Sequence, residues 1–524
     1  MPAEHSMQTM TAAAPPSQDV PLRLVTAAEF ARVRSLLHAA QFEEEMVCRA
    51  LHIASMADLG AARREHLDTA ASSATFALLV RLFVLVEAVP VTEVEGAVDA
   101  PMLDSLVALD LLRLTRRADG NEVYFAPVLL YPIAGLLIAS DRYENPDGSP
   151  FVPPPDVVFP AIFRGTLRFL RVISKSPADE ALDLCCGTGI GALVLSRHVR
   201  RAVASDITGR ATQFARFNRL LNGCENVEVV QGDLYEPVEG RMFDRVIAHP
   251  PYVPALSETH VFRDAGETGE GVLERIVAGL PRHLRPGGTF YCLSAGWDTA
   301  EGPFETRIRG WLGDHSPEFD LILAQQEEMS PSQVVRWLSD KSAGGDGVRE
   351  AFEKRFTAAA LERNVYGAIV LHRVGSGAHK SEPVTERVRM SGLTDGSSLD
   401  ESQQWHRWRS AKEAEGTLAN ALLAVNARLG SGLRVMVTHT PHDGALALTD
   451  VVLESDRPFH AATRIDPWML PLVGAFKAGR CAREVYDDAR RAGTIPEAFG
   501  PADFAMLVAM AVERGYLEVE GSLR

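Results

Sequence analysis

Between residues 178 and 252, four short apolar runs each stop on a polar residue or a glycine, and helix-forming sequence follows each of the first two. "ALDL" stops at Asp183 and passes through Cys185, Gly187, Thr188 and Gly189 into "IGALVLSRH". "AVAS" stops at Asp206-Ile207, before the helical pattern "RATQFARFNRLLNG". "VEVV" stops at Gly232-Asp233-Leu234, and "FDRVIA" runs into His249-Pro250-Pro251-Tyr252. Apolar strands alternating with helices over about 157–374 predict an α/β domain with a mostly parallel sheet.

Each strand end carries its own chemistry. Glycines after Asp183 let the backbone approach a ligand with no Cβ in the way. An acid at the tip of the second strand is placed to bind a ribose diol, which suits NAD and S-adenosylmethionine alike. An aspartate there also serves as a helix cap. Proline cannot donate to a sheet ladder, so Pro250 and Pro251 end the fourth strand and begin something rigid.

"DLCCGTG", the acid Asp206, "QGDLYEP" and a Pro-Pro-Tyr motif, in that order, resemble class I S-adenosylmethionine-dependent methyltransferases. "RHLRPGGTFYCL" adds that family's entry to a fifth strand. A dinucleotide-binding domain would explain the first two strands but not the prolines of the fourth. The resemblance implies a Rossmann-like domain with a seven-stranded, mostly parallel sheet. It implies that Asp183, Cys185, Gly187, Thr188 and Gly189 flank the methionine part of the cofactor. Asp206 and Ile207 then meet the ribose, and Asp233 and Leu234 the adenine. His249 borders both cofactor and acceptor.

The subgroup with an Asn- or Asp-Pro-Pro-aromatic motif methylates planar nitrogens, and "RDAGETGEGVLERIVAGLPRHLRPGG" looks similar to the release-factor glutamine N5-methyltransferases. A planar nitrogen is a poor nucleophile because its lone pair is delocalised. The motif turns that lone pair toward the methyl group. His249, Pro250 and Tyr252 are the expected catalytic residues. His249 stands where the subgroup has Asn or Asp. A neutral imidazole accepts one hydrogen bond, and it can also take a proton.

The flanks are different in kind. Residues 1–20 read as a disordered tail. Residues 21–150 contain helices and a hairpin around Asp119-Gly120-Asn121, a winged-helix-like pattern in which Asp99 caps a helix ahead of Pro101. Residues 375–404 are polar and rich in Gly and Ser, as in a linker, and 405–524 read as a second α+β, winged-helix-like unit. A helical insertion is expected at 330–364. Winged helices bind nucleic acid or dimerise, so a homo-oligomer and a nucleic-acid partner both stay open. Against the latter, the chain carries 53 basic and 69 acidic residues, a net charge of −16, and the recognition-type helices are acidic.

Six cysteines without a CxxC pair suggest neither zinc nor disulfides, and a reduced cytoplasmic setting. The N-terminus lacks a secretory signal, and no apolar run reaches the ~20 residues of a membrane span. The expected activity is methyl transfer to a planar nitrogen of a protein amide or nucleobase. The alternatives are a small-metabolite methyltransferase and a winged-helix regulator that senses the cofactor.

Overall fold

The computed structural model describes residues 20–521 apart from 63, 69–72, 118, 144–151, 257–260, 262, 341–344 and 376–381. The expected tail at 1–20 therefore lies almost wholly outside the described residues.

The central sheet grows from β1 (Ala178–Leu184), which pairs in parallel with β2 (Val199–Asp206) and with β4 (Phe243–Ala248). β3 (Val227–Gln231) extends β2, and β5 (Leu284–Thr299) extends β4, both in parallel. Beyond β5 comes β7 (Leu361–Arg373), antiparallel to both β5 and β6 (Phe319–Met329). The direction of strand order reverses between β1 and β4. In such sheets, ligands bind at the carboxyl ends beside that reversal.

The sheet has eight strands, not seven. Thr385–Arg389, inside the stretch expected to be a linker, forms β8 and pairs in parallel with β6. Its sequence, "TERVR", is too polar to read as a strand, because it covers an edge rather than filling a core. The helix α8 (Gly396–Ala414) then crosses the expected boundary at 404. Asp400 on α8 accepts hydrogen bonds from Ser176 (2.6 Å), Ser174 and the Tyr291 hydroxyl of β5.

Alternation along the strands separates two faces. Ala181, Ala202, Ile247 and Tyr291 face α1 (Arg164–Val172), α2 (Ile190–Leu195), α3 (Gly209–Asn222) and the N-terminal unit. Leu182, Val203, Val246 and Phe290 face α4 (Gly271–His283) and α5 (Phe304–Leu312). The insertion forms α6 (Pro331–Asp340) and α7 (Gly345–Ala358), which close a small core with Val253 and Trp297.

In the N-terminal unit, Val89–Pro90, Glu122–Phe125 and Arg113–Arg116 form a small antiparallel sheet. The Asp99 carboxylate accepts from the Met102 amide at 2.9 Å, as its place before Pro101 predicts. The apolar run 125–140 forms the hairpin Leu129–Ile133 and Leu136–Ser140, buried throughout. The C-terminal unit has its own core, beneath a three-stranded antiparallel sheet of Arg434–His442, Ala445–Ser455 and Ala461–Ile465. No helix among the described residues is long and apolar enough to cross a membrane.

Candidate active site

After β1 the chain leaves the sheet through Cys185, at φ +56°, and turns at Gly187 and Gly189, at φ +52° and +80°. The two glycines do different jobs. A Cβ on Gly189 would stand 3.0 Å from the Ala215 Cβ, so this glycine lets the turn pack on α3. A Cβ on Gly187 would meet nothing within 4 Å, so this residue faces open space. Its amide donates to Asp206 Oδ2 at 2.9 Å.

Asp206 therefore joins the tips of β1 and β2. Its Oδ1 accepts from the Thr208 amide at 3.0 Å, while Thr208 itself caps α3 through the Ala211 amide. Burial raises the carboxyl pKa of Asp206, and the backbone bonds oppose the rise. Ile207 beside it is exposed. At the tip of β3, Leu234 takes φ +50°, and Asp233 Oδ2 accepts from Arg275 at 2.6 Å.

Asp183 is sealed under the turn. Its Oδ2 accepts from the Ala192 amide at 2.8 Å, and burial lifts its pKa to about 7. It clasps the first turn of α2 from below. A Cβ on Gly191 would lie 2.6 Å from that oxygen.

His249, at the tip of β4, is stacked between rings. Phe169 of α1 lies at a centroid distance of 5.3 Å and Tyr252 at 6.2 Å, with interplanar angles of 22° and 27°. The Nε2 atom is buried without a hydrogen-bond partner. Desolvation alone lowers the imidazole pKa to about 4, so the ring is neutral at ordinary pH. Tyr252 packs at 5.4 Å on Tyr366 of β7, and their hydroxyls share a hydrogen bond. Arg168 of α1 bonds the Tyr366 hydroxyl. With the Gln326 amide turned so that its oxygen faces α1, all three guanidinium nitrogens of Arg168 lie 2.9–3.0 Å from it.

The segment after Tyr252 is braced from two directions. A Cβ on Gly269, at φ +85°, would fall 2.4 Å from the Tyr252 carbonyl oxygen, so only glycine permits this approach. Glu270 follows, buried. It accepts from the Trp297 amide at 2.9 Å and pairs with Arg307. Burial nevertheless raises its pKa to about 7. Arg355 of α7 reaches the Ala255 carbonyl at 3.2 Å and Glu267 at 2.9 Å.

Residues 161–296 match the family described as the Methyltransferase small domain. A release factor glutamine methyltransferase of Xylella fastidiosa is 32% identical over 144 residues, which cover 25% of this chain and 51% of that protein. A ribosomal protein uL3 glutamine methyltransferase of Bradyrhizobium diazoefficiens is 30% identical over 158 residues, covering 28% and 50%. A ribosomal RNA small subunit methyltransferase C of Serratia proteamaculans is 30% identical over 173 residues, covering 33% and 44%. The chain spans about half the length of these relatives or less.

The central domain brings Gly187, Asp206, Ile207, Asp233, His249 and Tyr252 to the carboxyl edge of one sheet. Four residues at or beside this edge escaped the sequence reading. Phe169 and Arg168 sit on a short helix upstream of every motif, where nothing in "RGTLRFLRV" points to a site. Glu270 lies in "RDAGETGEG", a stretch whose resemblance singles out no one acid. Tyr366 had a usable signal, a hydroxyl-bearing ring in the apolar strand "NVYGAIVLHR".

Proposed function

We propose that this protein is an S-adenosylmethionine-dependent methyltransferase acting on a planar nitrogen, with a protein side-chain amide as the favoured acceptor. One observation carries the choice of a planar nitrogen: the neutral, ring-stacked His249 beside Tyr252 at the tip of β4.

The cradle suits the cofactor. Open space faces Gly187. Asp206 Oδ1 already accepts from both the amide and the hydroxyl of Thr208, while Oδ2 accepts from the Gly187 amide and keeps a second acceptor site for a ribose hydroxyl. Exposed Ile207 and the Leu234 side chain offer apolar contact, and Asp233 Oδ1 remains for an amino group. Cys185, Thr188 and Gly189 shape the turn, with Asp183 behind it. S-adenosylmethionine, when bound, supplies an electrophilic methyl group.

The chain's own residues then act on the acceptor. Tyr252 stacks on its planar face, Pro250 and Pro251 hold the tip rigid, and His249 accepts a hydrogen bond from its N–H. An amide nitrogen becomes strongly acidic once methylated, so even a base with a pKa of about 4 can take its proton afterwards. An aliphatic amine must lose its proton first, from a pKa of ~10.4. The gap of about 6 units would cost about 8 kcal/mol, at 1.36 per unit. That gap makes His249 a poor base for a lysine-type acceptor.

A protein amide is preferred to a nucleobase for two reasons. The net charge is −16, and two of the relatives are named as glutamine methyltransferases. The N-terminal order helix–strand–helix–helix–strand–strand supports a winged-helix-like module that presents the acceptor. Incubating cell fractions with methyl-labelled cofactor tests the reading. Label should enter protein as an N-methyl amide. Label confined to nucleic acid or to small molecules would overturn the choice of acceptor.

A further inference from the structure

The hairpin Leu129–Ile133 and Leu136–Ser140 has two strands, so its outer backbone needs partners from elsewhere. Helix α3 supplies them with two carboxamides. Asn218 accepts from the Ala139 amide at 2.8 Å and donates to the Ala139 carbonyl at 3.0 Å. Asn222 does the same at Leu137, at 2.9 and 2.7 Å. The spacing explains the match. Four residues of helix rise ~6 Å, and two residues of strand span ~6.6 Å. The asparagines stand in for a third strand.

The two differ in their remaining proton. Asn222 Nδ2 donates to the Asn218 carbonyl, inside its own helix, at 2.8 Å. Asn218 Nδ2 donates to the carbonyl of Thr188 at 3.0 Å, in the glycine turn. Asn218 is wholly buried, and Thr188 is 4% exposed. The turn is thereby held from two sides. Asp206 fixes the Gly187 amide, and Asn218 fixes the next carbonyl, just before Gly189 packs on Ala215 of the same helix.

We propose that Asn218 is a positioning residue for the cofactor, through which the hairpin of the N-terminal unit sets the backbone of the Gly187–Gly189 turn. This rests on the reading that the turn holds S-adenosylmethionine. The N-terminal unit is then part of the cofactor site without touching the cofactor. Losing the hairpin contact frees the Asn218 carboxamide to rotate, and the Thr188 carbonyl loses its fixed direction.

Asn222 provides the control, because it binds the same hairpin but not the turn. In the full-length protein, Asn218→Ala should weaken S-adenosylmethionine binding by calorimetry about tenfold or more. Asn222→Ala should stay within about twofold, although both variants lower the melting temperature. Asn218→Ser, whose hydroxyl is too short to bridge Ala139 and Thr188, should fall on the Asn218→Ala side and serves if the alanine variant does not fold. Hydrogen exchange in the cofactor-free protein adds a readout independent of the ligand. Gly187 to Gly189 should exchange faster in the Asn218 variants than in Asn222→Ala. Equal affinity losses at 218 and 222, or unchanged exchange in the turn, would overturn the proposal. A wild type that binds no S-adenosylmethionine but still shows the exchange difference would sink the cofactor reading and leave the coupling standing.

Discussion

The imidazole of His249 lies 5.3 Å from the ring of Phe169, tilted by only 22°. This contact comes from an upstream helix, and it strips water from the one residue that departs from the resembled motif. Desolvation then places the pKa at about 4. Loss of activity on acidification should therefore not begin near ~6.5, the value for an exposed imidazole. Turnover should hold from pH 7 to pH 5 and fall only toward pH 4. Stability has a matching sign. The folded state disfavours the proton, so His249 costs nothing above ~6.5 and destabilises progressively as pH falls from there to about 4. Phe169→Ala should admit water and move the acid limb of the pH–rate profile upward. An unchanged limb in that variant would show that His249 does not govern it.

His249→Asn separates two roles. If the ring only accepts a hydrogen bond, Asn should keep activity within about tenfold, or ~1.4 kcal/mol in the barrier. If it removes a proton during transfer, the loss should be on the order of 10²–10⁴. The low pKa favours the first outcome, because the base is weak and an amide sheds its proton late. Equal activity in His249→Ala would show that neither role is real.

Asp206 links the Gly187 amide to the amide and hydroxyl of Thr208, and its Oδ2 keeps one further acceptor site. Asp206→Ala should weaken S-adenosylmethionine binding by on the order of 1–3 kcal/mol, the range for a lost buried hydrogen-bond partner. Calorimetry with unchanged affinity would remove Asp206 from the site.

The strand ends were legible because a buried strand must stop where polar chemistry begins, and each of Asp183, Asp206, Asp233 and His249 interrupts an apolar run. Their partners were not legible. Phe169 and Arg168 meet β4 and β7 only through the packing of α1, and local sequence does not encode which face a distant helix covers. β8 was missed for the opposite reason. An edge strand buries little, so its five residues carry the polar composition of a linker. Asn218 read as an ordinary helix residue, since nothing in "RATQFARFNRLLNG" shows a hairpin waiting for two carboxamides.

Tyr366 and Arg168 should matter through Tyr252. Arg168 bonds the Tyr366 hydroxyl, which in turn meets the Tyr252 hydroxyl. Tyr366→Phe keeps the ring packing and removes that chain of bonds. A net hydrogen bond contributes ~0.5–1.5 kcal/mol, so kcat/KM for the acceptor should fall about 2- to 13-fold while affinity for S-adenosylmethionine stays fixed. Weakened cofactor binding in Tyr366→Phe would instead place this residue in the cofactor site.

A chain ending near residue 375 looks like a clean cut in the sequence, and the structure argues against it. The cut removes β8 and leaves the outer edge of β6 without hydrogen-bond partners from Leu321 to Gln325. It also removes α8, which buries Leu399 against the central core and places Asp400 under Ser174, Ser176 and Tyr291. Deleting one buried leucine side chain alone typically costs ~2–5 kcal/mol, a large part of the ~5–15 kcal/mol that holds a domain folded. The truncated chain should be insoluble or should melt well below the full-length protein, with cofactor binding lost alongside folding. Asp400→Ala in the full chain tests the same clasp more gently. It leaves three hydroxyls without their acceptor and should lower stability by ~1–3 kcal/mol in urea titration, with S-adenosylmethionine affinity retained. A 1–375 chain that folds, melts near the full-length temperature and binds S-adenosylmethionine would show that β8 and α8 are appendages rather than parts of the central domain.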